Sequence, residues 1–488
     1  MKTILDVIIR FFIIAIQLFT LVSFIVCNVI FMSKYSEVFS IKEWIWFLPA
    51  CLLIISTYLL ARFLEKNRKE STVIIIGLLL ANLLFVFFIC SYPTEPVSDW
   101  QLVWNAANQM ANGTFTGGIT PGHYMHEIPY QQGMALLESY VIKIFGIQYS
   151  VFKALNVLIM DGILLCIYHF SKRKSSQRAA VYVYISSSVF LCWAMSVPQF
   201  TNHQIGTLLM LITLYCFEKE APWYGLLSGA VLALMNYLRP MGILLVVTYF
   251  CYTVYELFSK KPFAKAIAKL ALCLVTYYGC SFLIDSYMIG KGYTDTYISR
   301  SNRNLYHKIT YGLYDSKIDG TIAKYDYDYE AYDAAFKEEI TEQLTNHKKE
   351  LLENIANKMC RYLGMFDYAF EMTYNHDQTV WSAYPVKAYY SVQWFQYVIY
   401  SGLALLGYLG YIKIHHPDLY QIFFVGNTLV YLFVEAFSTY RFENYFYVLF
   451  LAGYGLCRIS ELQAEKANIN QHQESSFVQT ADNSHKYI

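Results

Sequence analysis

Twelve apolar runs, separated by polar or basic residues, are the feature that most constrains the fold of this chain. A helix rises about 1.5 Å per residue, so about 20 apolar residues cross a bilayer core of about 30 Å. We therefore predict an all-α polytopic membrane protein with about 12 transmembrane helices, some of them short. The predicted spans are residues 8–31, 44–63, 72–90, 152–170, 179–197, 205–217, 223–238, 242–257, 270–289, 392–412, 419–437 and 442–456.

The composition agrees with lipid as part of the solvent. Hydrophobic residues make up 56% of the 488 residues and charged residues 15%, whereas soluble domains carry about 25% charged residues. No tract is basic enough to indicate nucleic acid binding. Most cysteines lie inside the apolar runs, where small core residues are expected, and neither a zinc spacing nor a disulfide framework is visible. The first run lacks a signal cleavage site and is interpreted as a retained span.

Basic residues in the short loops predict the orientation. Lysine and arginine cluster at residues 62–69, 172–178 and 260–269, which all fall on one side of a twelve-span arrangement. Such clusters are retained in the cytoplasm. We therefore predict a plasma membrane protein with both termini in the cytoplasm.

The span positions divide the chain into six regions. Two long polar segments fall on the extracytoplasmic side, and we expect mixed, mainly helical structure there. The predicted regions are 1–90 with three spans, 91–150 as a first large outer loop, 151–289 with six spans, 290–391 as a second large outer loop, 392–459 with three spans, and 460–488 as a disordered cytoplasmic tail.

Ionisable residues at the ends of spans are candidate functional groups, because charge near a membrane core is costly. The topology was built without them, yet it places them on one face, the outer one. They are Asp99, His203, Arg239, Glu435 and Arg441.

Each candidate also has a purely structural interpretation. Asp99 would cap a helix that begins at the next residue, and Glu435 with Arg441 would form a structural ion pair. Arg239 would extend to lipid headgroups, and His203 would be a hydrogen-bonded interface residue. The many tyrosines are interpreted as interfacial belt residues.

The first outer loop and the span ends resemble the GT-C superfamily of membrane glycosyltransferases, in particular the protein-O-mannosyltransferase-like members (glycosyltransferase family 39-like). Arg239-Pro240 and the stretch from Glu435 to Arg441 are similar to bacterial members. The loop residues that carry the resemblance are Ser98-Asp99-Trp100, Trp104-Asn105-Ala106-Ala107, Gly113, Tyr124, Pro129-Tyr130-Gln131 and Gly133.

The chain also departs from this family pattern. Two extra spans precede the acidic loop, an even number that leaves the loop outside. Many members carry two adjacent acids, whereas Asp99 stands alone between Ser98 and Trp100, with Glu95 or Glu127 as possible second acids. We expect no cofactor; a divalent ion held by Asp99 with Glu435 is the alternative.

The resemblance implies inverting transfer of a sugar from a polyprenyl-phosphate donor, undecaprenyl phosphate in a bacterium, to a hydroxyl of a cell-envelope polysaccharide or protein. Asp99 suits the general base, and Arg239 and Arg441 suit the phosphate. Glu435 would orient Arg441 or contact the acceptor. The other residues expected to bind substrate are His203, Tyr130 and Gln131.

Two alternatives stay open. The first is a polysaccharide polymerase or ligase that uses a lipid-diphosphate oligosaccharide. The second is a transporter or flippase for a lipid-linked sugar, although such proteins often place charges near the midplane of repeated halves.

Overall fold

The computed structural model describes residues 2–34, 41–67, 69–91, 95–258, 263–299, 305–313, 322–364, 384–412, 417–434 and 438–463. All regular secondary structure within these ranges is helical. The helices are α1 (Lys2–Lys34), α2 (Phe47–Asn67), α3 (Glu70–Ser91), α4 (Asp99–Asn112), α5 (Tyr124–Glu127), α6 (Gln132–Phe145), α7 (Tyr149–Lys174), α8 (Gln177–Ser188), α9 (Leu191–Ala194), α10 (Asn202–Glu218), α11 (Tyr224–Leu238), α12 (Gly242–Phe258), α13 (Phe263–Gly290), α14 (Leu305–Leu313), α15 (Tyr329–Asn346), α16 (Lys348–Met359), α17 (Tyr384–Tyr411), α18 (Leu419–Phe433) and α19 (445–463).

The protein is a multi-pass membrane protein, as predicted. Among the helices that the structure describes, five are long and apolar enough to cross a bilayer: α1, α2 with its preceding turn, α3, α7 and α13. Three shorter apolar helices are α11, α12 and α18. Every predicted span overlaps a helix, but the count of about 12 crossings stays a prediction.

One predicted span, residues 179–197, is not a continuous helix. Helix α8 ends at Ser188 and the single turn α9 begins at Leu191. The side chain of Gln396 on α17 compensates for the break: its Oε1 accepts from the backbone N–H of Leu191 at 2.9 Å, and its Nε2 donates to the carbonyl of Val189 at 2.9 Å. An interruption is tolerated in an apolar surrounding when another helix satisfies the freed backbone groups.

The helices have two chemically different ends. At one end, here called the basic end, lysines and arginines from the turn between α7 and α8 pair with acids from neighbouring helices. Helix α10 begins near His203 and ends at the basic end, at Glu218, and α11 returns from there and ends just before Arg239. His203 and Arg239 therefore lie at the opposite end of the helices, here called the site end. The ion pairs of the basic end are Arg173–Glu218, Lys174–Glu218, Lys174–Asp418 at 3.6 Å, Arg178–Glu65 at 2.9 Å and Lys172–Glu70 at 2.7 Å.

Two loop regions cover the site end. The first loop region (residues 95–148) contains α4 to α6, and the second (290–299, 305–313 and 322–364) contains α14 to α16. His126 joins them: its Nδ1 lies 2.9 Å from the Tyr329 hydroxyl and its Nε2 lies 3.4 Å from a carboxylate oxygen of Asp295. The described part of the second large loop is mainly helical, with turns at residues 291–299, which agrees with the predicted mixed, mainly helical structure.

Helix α6 begins directly against the end of α11. A Cβ atom built on Gly133 would lie 1.8 Å from the carbonyl oxygen of Tyr237, so no larger residue fits at this position. The contact places the turn Pro129–Gln131, which precedes α6, beside the residues that follow α11, beginning with Arg239.

Helix α6 also buries a carboxyl group. Glu138 is 3% exposed, and its Oε2 has no hydrogen-bond partner within the described ranges. Burial raises the pKa of Glu138 well above its usual value, because the charged form loses its hydration. The folded chain therefore binds a proton that the unfolded chain releases above about pH 4.3, and stability falls as the pH rises from there toward the folded-state pKa.

We expect Glu138→Gln to raise the unfolding temperature of the detergent-solubilised protein, because the amide carries no charge to desolvate. The gain should be larger at about pH 8 than at about pH 5. Thermal unfolding at both pH values measures it, with Glu353→Gln, at an exposed acid of α16, as control. An equal gain at both pH values, or none, would contradict this account.

Candidate active site

Arg239 is fixed by the turn between α11 and α12. Proline follows it, and the residue before a proline is pushed out of the helical region; Arg239 is accordingly extended, with φ −138° and ψ 115°. Its backbone N–H still donates to the carbonyl of Met235 at 2.7 Å. Arg239 is 7% exposed and its side chain turns into the protein, so the interpretation that it extends to lipid headgroups is wrong.

The partner of Arg239 is an acid that we did not predict. The Nε of Arg239 donates to Oε1 of Glu443 at 2.8 Å, and His203 Nδ1 lies 3.3 Å from the same oxygen. Glu443 is completely buried in the turn Ser438–Asn444 before α19. Like the predicted candidates it stands at the edge of an apolar run, so the same criterion identifies it.

The remaining nitrogens of Arg239 are also engaged. Nη1 lies 3.3 Å from Oδ1 of Asn202 and 3.4 Å from Nε2 of His203, and Nη2 lies 3.4 Å from the Tyr431 hydroxyl. The guanidinium carbon is 5.4 Å from the ring centroid of Tyr440. These contacts fit a neutral His203 with its proton on Nδ1, donating to Glu443 and accepting from Arg239. Arg239 is therefore held in place and balanced by Glu443.

Arg441 is enclosed behind this cluster. It is 1% exposed, its Nε donates to the Tyr445 hydroxyl at 2.8 Å and its Nη1 donates to the carbonyl of Tyr362 at 3.1 Å. The guanidinium carbon lies 4.3 Å from the ring centroid of Tyr397. The predicted partner Glu435 lies outside the described residues.

Asp99 begins α4 at the edge of the site. The helix starts at Asp99 itself, with Ser98 in the cap position and no side-chain capping bond, so the interpretation of Asp99 as a cap is wrong. Ser98 has φ +53°, a left-handed conformation that costs energy for a residue with a Cβ. Asp99 is exposed. Burial of the Tyr124 hydroxyl raises the pKa of Tyr124, and the negative charge of the nearby Asp99 carboxylate raises this pKa further.

Trp100, next to Asp99, connects α4 to the Arg239 cluster. Its ring centroid lies 6.5 Å from that of His203, in an edge-to-face arrangement. On its other side His203 stacks on Tyr440 at 6.0 Å. Between Trp100, in the first turn of α4, and the ion pair of Arg239 with Glu443 there is therefore a single ring, that of His203.

Tyr130 brings a second unpredicted residue to the site. Lys308 of α14 donates to the Tyr130 hydroxyl, and its Nζ lies 4.5 Å from the ring centroid. Tyr130 is also within electrostatic range of Tyr124 and Arg239. In the part of the chain that the structure describes, the Lys308 ammonium has no carboxylate partner. Among lysines of a tyrosine-rich loop, no sequence signal distinguishes it.

The other predicted residues lie as follows. Gln131 is buried beside Tyr124. Glu95 is exposed and interacts with Lys153 at the start of α7. Glu127 is half-buried, and burial raises its pKa. No group of three or more metal-ligating side chains occurs within the described ranges.

Residues 133–283, about a third of the chain, match the family described as dolichyl-phosphate-mannose-protein mannosyltransferase. The resemblance to GT-C glycosyltransferases is thereby confirmed. A solved structure, ArnT from Cupriavidus metallidurans bound to undecaprenyl phosphate, matches with 10% identity and a TM-score of 0.38, over 80% of this chain and 78% of that chain. No curated protein matches the sequence.

The GT-C match covers one part of the site. Gly133, His203 and Arg239 lie inside it, whereas Asp99 precedes it and Glu443 follows it. Lys308 also lies beyond its end. The fold thus adds to the matched segment the acid of the first loop region, the cation of the second and the buried acid before α19.

We expect Glu443→Ala to destabilise the protein by about 3–5 kcal/mol, because it leaves the buried Arg239 charge without its counter-ion. Thermal unfolding in detergent measures the loss. The control Glu353→Ala removes an exposed pair, with Lys349 at 3.9 Å, and should cost less than about 1 kcal/mol. The double variant Glu443→Leu/Arg239→Met should be more stable than Glu443→Ala, because it leaves no unpaired charge. Equal losses of stability in Glu443→Ala, Glu353→Ala and the double variant would show that the ion pair between Arg239 and Glu443 does not stabilise the protein.

Proposed function

We propose that this protein transfers a sugar, with inversion, from a polyprenyl-phosphate donor to a hydroxyl of a cell-envelope polysaccharide or protein. The observation that carries the proposal is that two charged groups lie around the cluster formed by Arg239, His203 and Glu443. One is the exposed carboxylate of Asp99, next to Trp100, and the other is Lys308, a cation with no carboxylate partner among the described residues, which binds Tyr130. The family match supports it, because its description names a dolichyl-phosphate sugar as the donor.

The chemistry needs a base and a cation. Asp99 removes the proton of the acceptor hydroxyl as that oxygen attacks the anomeric carbon. The bond from the anomeric carbon to the phosphate oxygen breaks on the opposite face, and polyprenyl phosphate leaves with one additional negative charge. Lys308 stabilises that charge as it develops, and Arg239 positions Tyr130 and the aromatic rings beside it.

The charges at the site favour a monophosphate donor. Arg239 is balanced by Glu443, which leaves the Lys308 ammonium to meet the substrate. A phosphodiester carries one negative charge, whereas the diphosphate donors of a polymerase or ligase carry more. A transporter would hold charged groups near the middle of the bilayer, but this cluster lies where α10 begins and α11 ends.

We further propose that the site faces away from the cytoplasm. The ion-paired lysines and arginines of the turn between α7 and α8 mark the opposite end of the helices, and basic clusters of this kind are retained in the cytoplasm. Both termini would then be cytoplasmic. Nucleotide sugars are confined to the cytoplasm, so a site on the far side requires a membrane-soluble donor such as an undecaprenyl-phosphate sugar.

We expect Asp99→Asn to lower sugar transfer on the order of 10²- to 10⁴-fold, because the amide cannot accept the acceptor's proton. Membranes with matched protein levels are assayed for transfer from undecaprenyl-phosphate sugars to cell-envelope acceptor. The control Asp326→Asn makes the same change at an exposed aspartate whose φ of +49° asparagine also tolerates. Unchanged transfer by Asp99→Asn would exclude the proposed base.

We expect Lys308→Gln to lower the turnover number by about 10- to 100-fold, because the leaving phosphate loses its cation. Lys308→Arg, which keeps the charge, should retain most of the activity. The control is Lys337→Gln on α15, where another lysine lies 4.4 Å from a tyrosine ring centroid, that of Tyr306. The assignment of Lys308 fails if Lys308→Gln turns over donor as fast as this control.

A further inference from the structure

The C-terminal part of α13 has an exposed side that is apolar and aromatic. Apolar and aromatic side chains along this side are exposed in the isolated chain, and α13 is apolar enough to cross the bilayer, so they face lipid. The exposed side chains are Val275 at 70%, Tyr278 at 48%, Phe282 at 53%, Leu283 at 67% and Tyr287 at 41%.

Helix α6 is attached to the site end of this lipid-facing side. The hydroxyl groups of Tyr140 and Tyr287 are 2.6 Å apart. Ile142 of α6 is still buried, but the end of the helix and the residue after the following glycine are exposed: Ile144 is 72% exposed, Phe145 56% and Ile147 62%. Because α7 enters the membrane just after these residues, the exposed end of α6 lies at the level of the lipid headgroups.

Two lysines flank the tyrosine pair. Lys143 Nζ lies 5.5 Å from the ring centroid of Tyr140, and Lys291 Nζ lies 5.8 Å from that of Tyr287. Both are exposed, and within the described ranges neither has a carboxylate partner. The short loops of this protein carry most of their lysines and arginines at the basic end. Two exposed lysines at the site end are therefore unexpected.

We propose that Lys143, Lys291, Tyr140 and Tyr287 bind the headgroup of an anionic phospholipid in the leaflet at the site end. Rings of this kind lie in the interfacial layer, and a lysine beside them meets the lipid phosphate. The bound lipid holds α6 to α13. Since α6 begins directly after the turn that carries Tyr130, the bound lipid also helps to hold Tyr130 in place at the site.

The experiment uses the full chain in nanodiscs of phosphatidylcholine with increasing fractions of phosphatidylglycerol. We expect the unfolding temperature of the wild type to rise with the phosphatidylglycerol fraction. Lys143→Gln/Lys291→Gln should need on the order of tenfold more of this lipid for the same rise, while unfolding like the wild type in pure phosphatidylcholine. High salt should weaken the wild-type response.

The control variant Lys153→Gln/Lys349→Gln removes the same charge at two lysines that have acidic neighbours, Glu95 and Glu353. It should respond to phosphatidylglycerol like the wild type. An identical response of both double variants would overturn the proposal. So would stabilisation by undecaprenyl phosphate but not by phosphatidylglycerol, because the lysines would then belong to the donor site.

Discussion

The ion pair between Arg239 and Glu443 joins two turns that are 204 residues apart in the chain, and the site is arranged around it. Two opposite charges without water are stable when each satisfies the other and the remaining donors find acceptors. Asn202, His203 and Tyr431 provide those acceptors. The start of α10, the end of α11 and the turn before α19 must therefore meet with little freedom.

The features of the fold that could be predicted from the sequence are those that depend on neighbouring residues in the chain. A span is a property of consecutive residues, so all twelve apolar runs overlap helices. The break near Val189 is different, because it depends on Gln396, which is 207 residues away. An apolar run shows that a segment prefers lipid, but it does not show whether a distant side chain replaces one turn of its hydrogen bonds.

The same distinction applies to the site. Asp99, His203 and Arg239 stand out because charged or polar groups at span ends are rare whatever their partners. We predicted that Glu435 orients Arg441 or contacts the acceptor, and Glu435 lies outside the described residues. The acid that pairs with Arg239 is Glu443. Both acids stand on one stretch of sequence, and nothing local indicates that Glu443 pairs with Arg239. Lys308 could be identified as a site residue only from the position of α14 over Tyr130, because this contact joins residues 178 positions apart in the chain.

The backbone contact at Gly133 has a consequence for finding related chains. Surface loops tolerate substitution at most positions, but any side chain at Gly133 would collide with the Tyr237 carbonyl and displace the turn that carries Tyr130. A sequence profile built on the density of tyrosines would recover chance matches from other membrane proteins. One weighted on this glycine, the arginine–proline turn and the acid before the last helix would select chains able to assemble the same site.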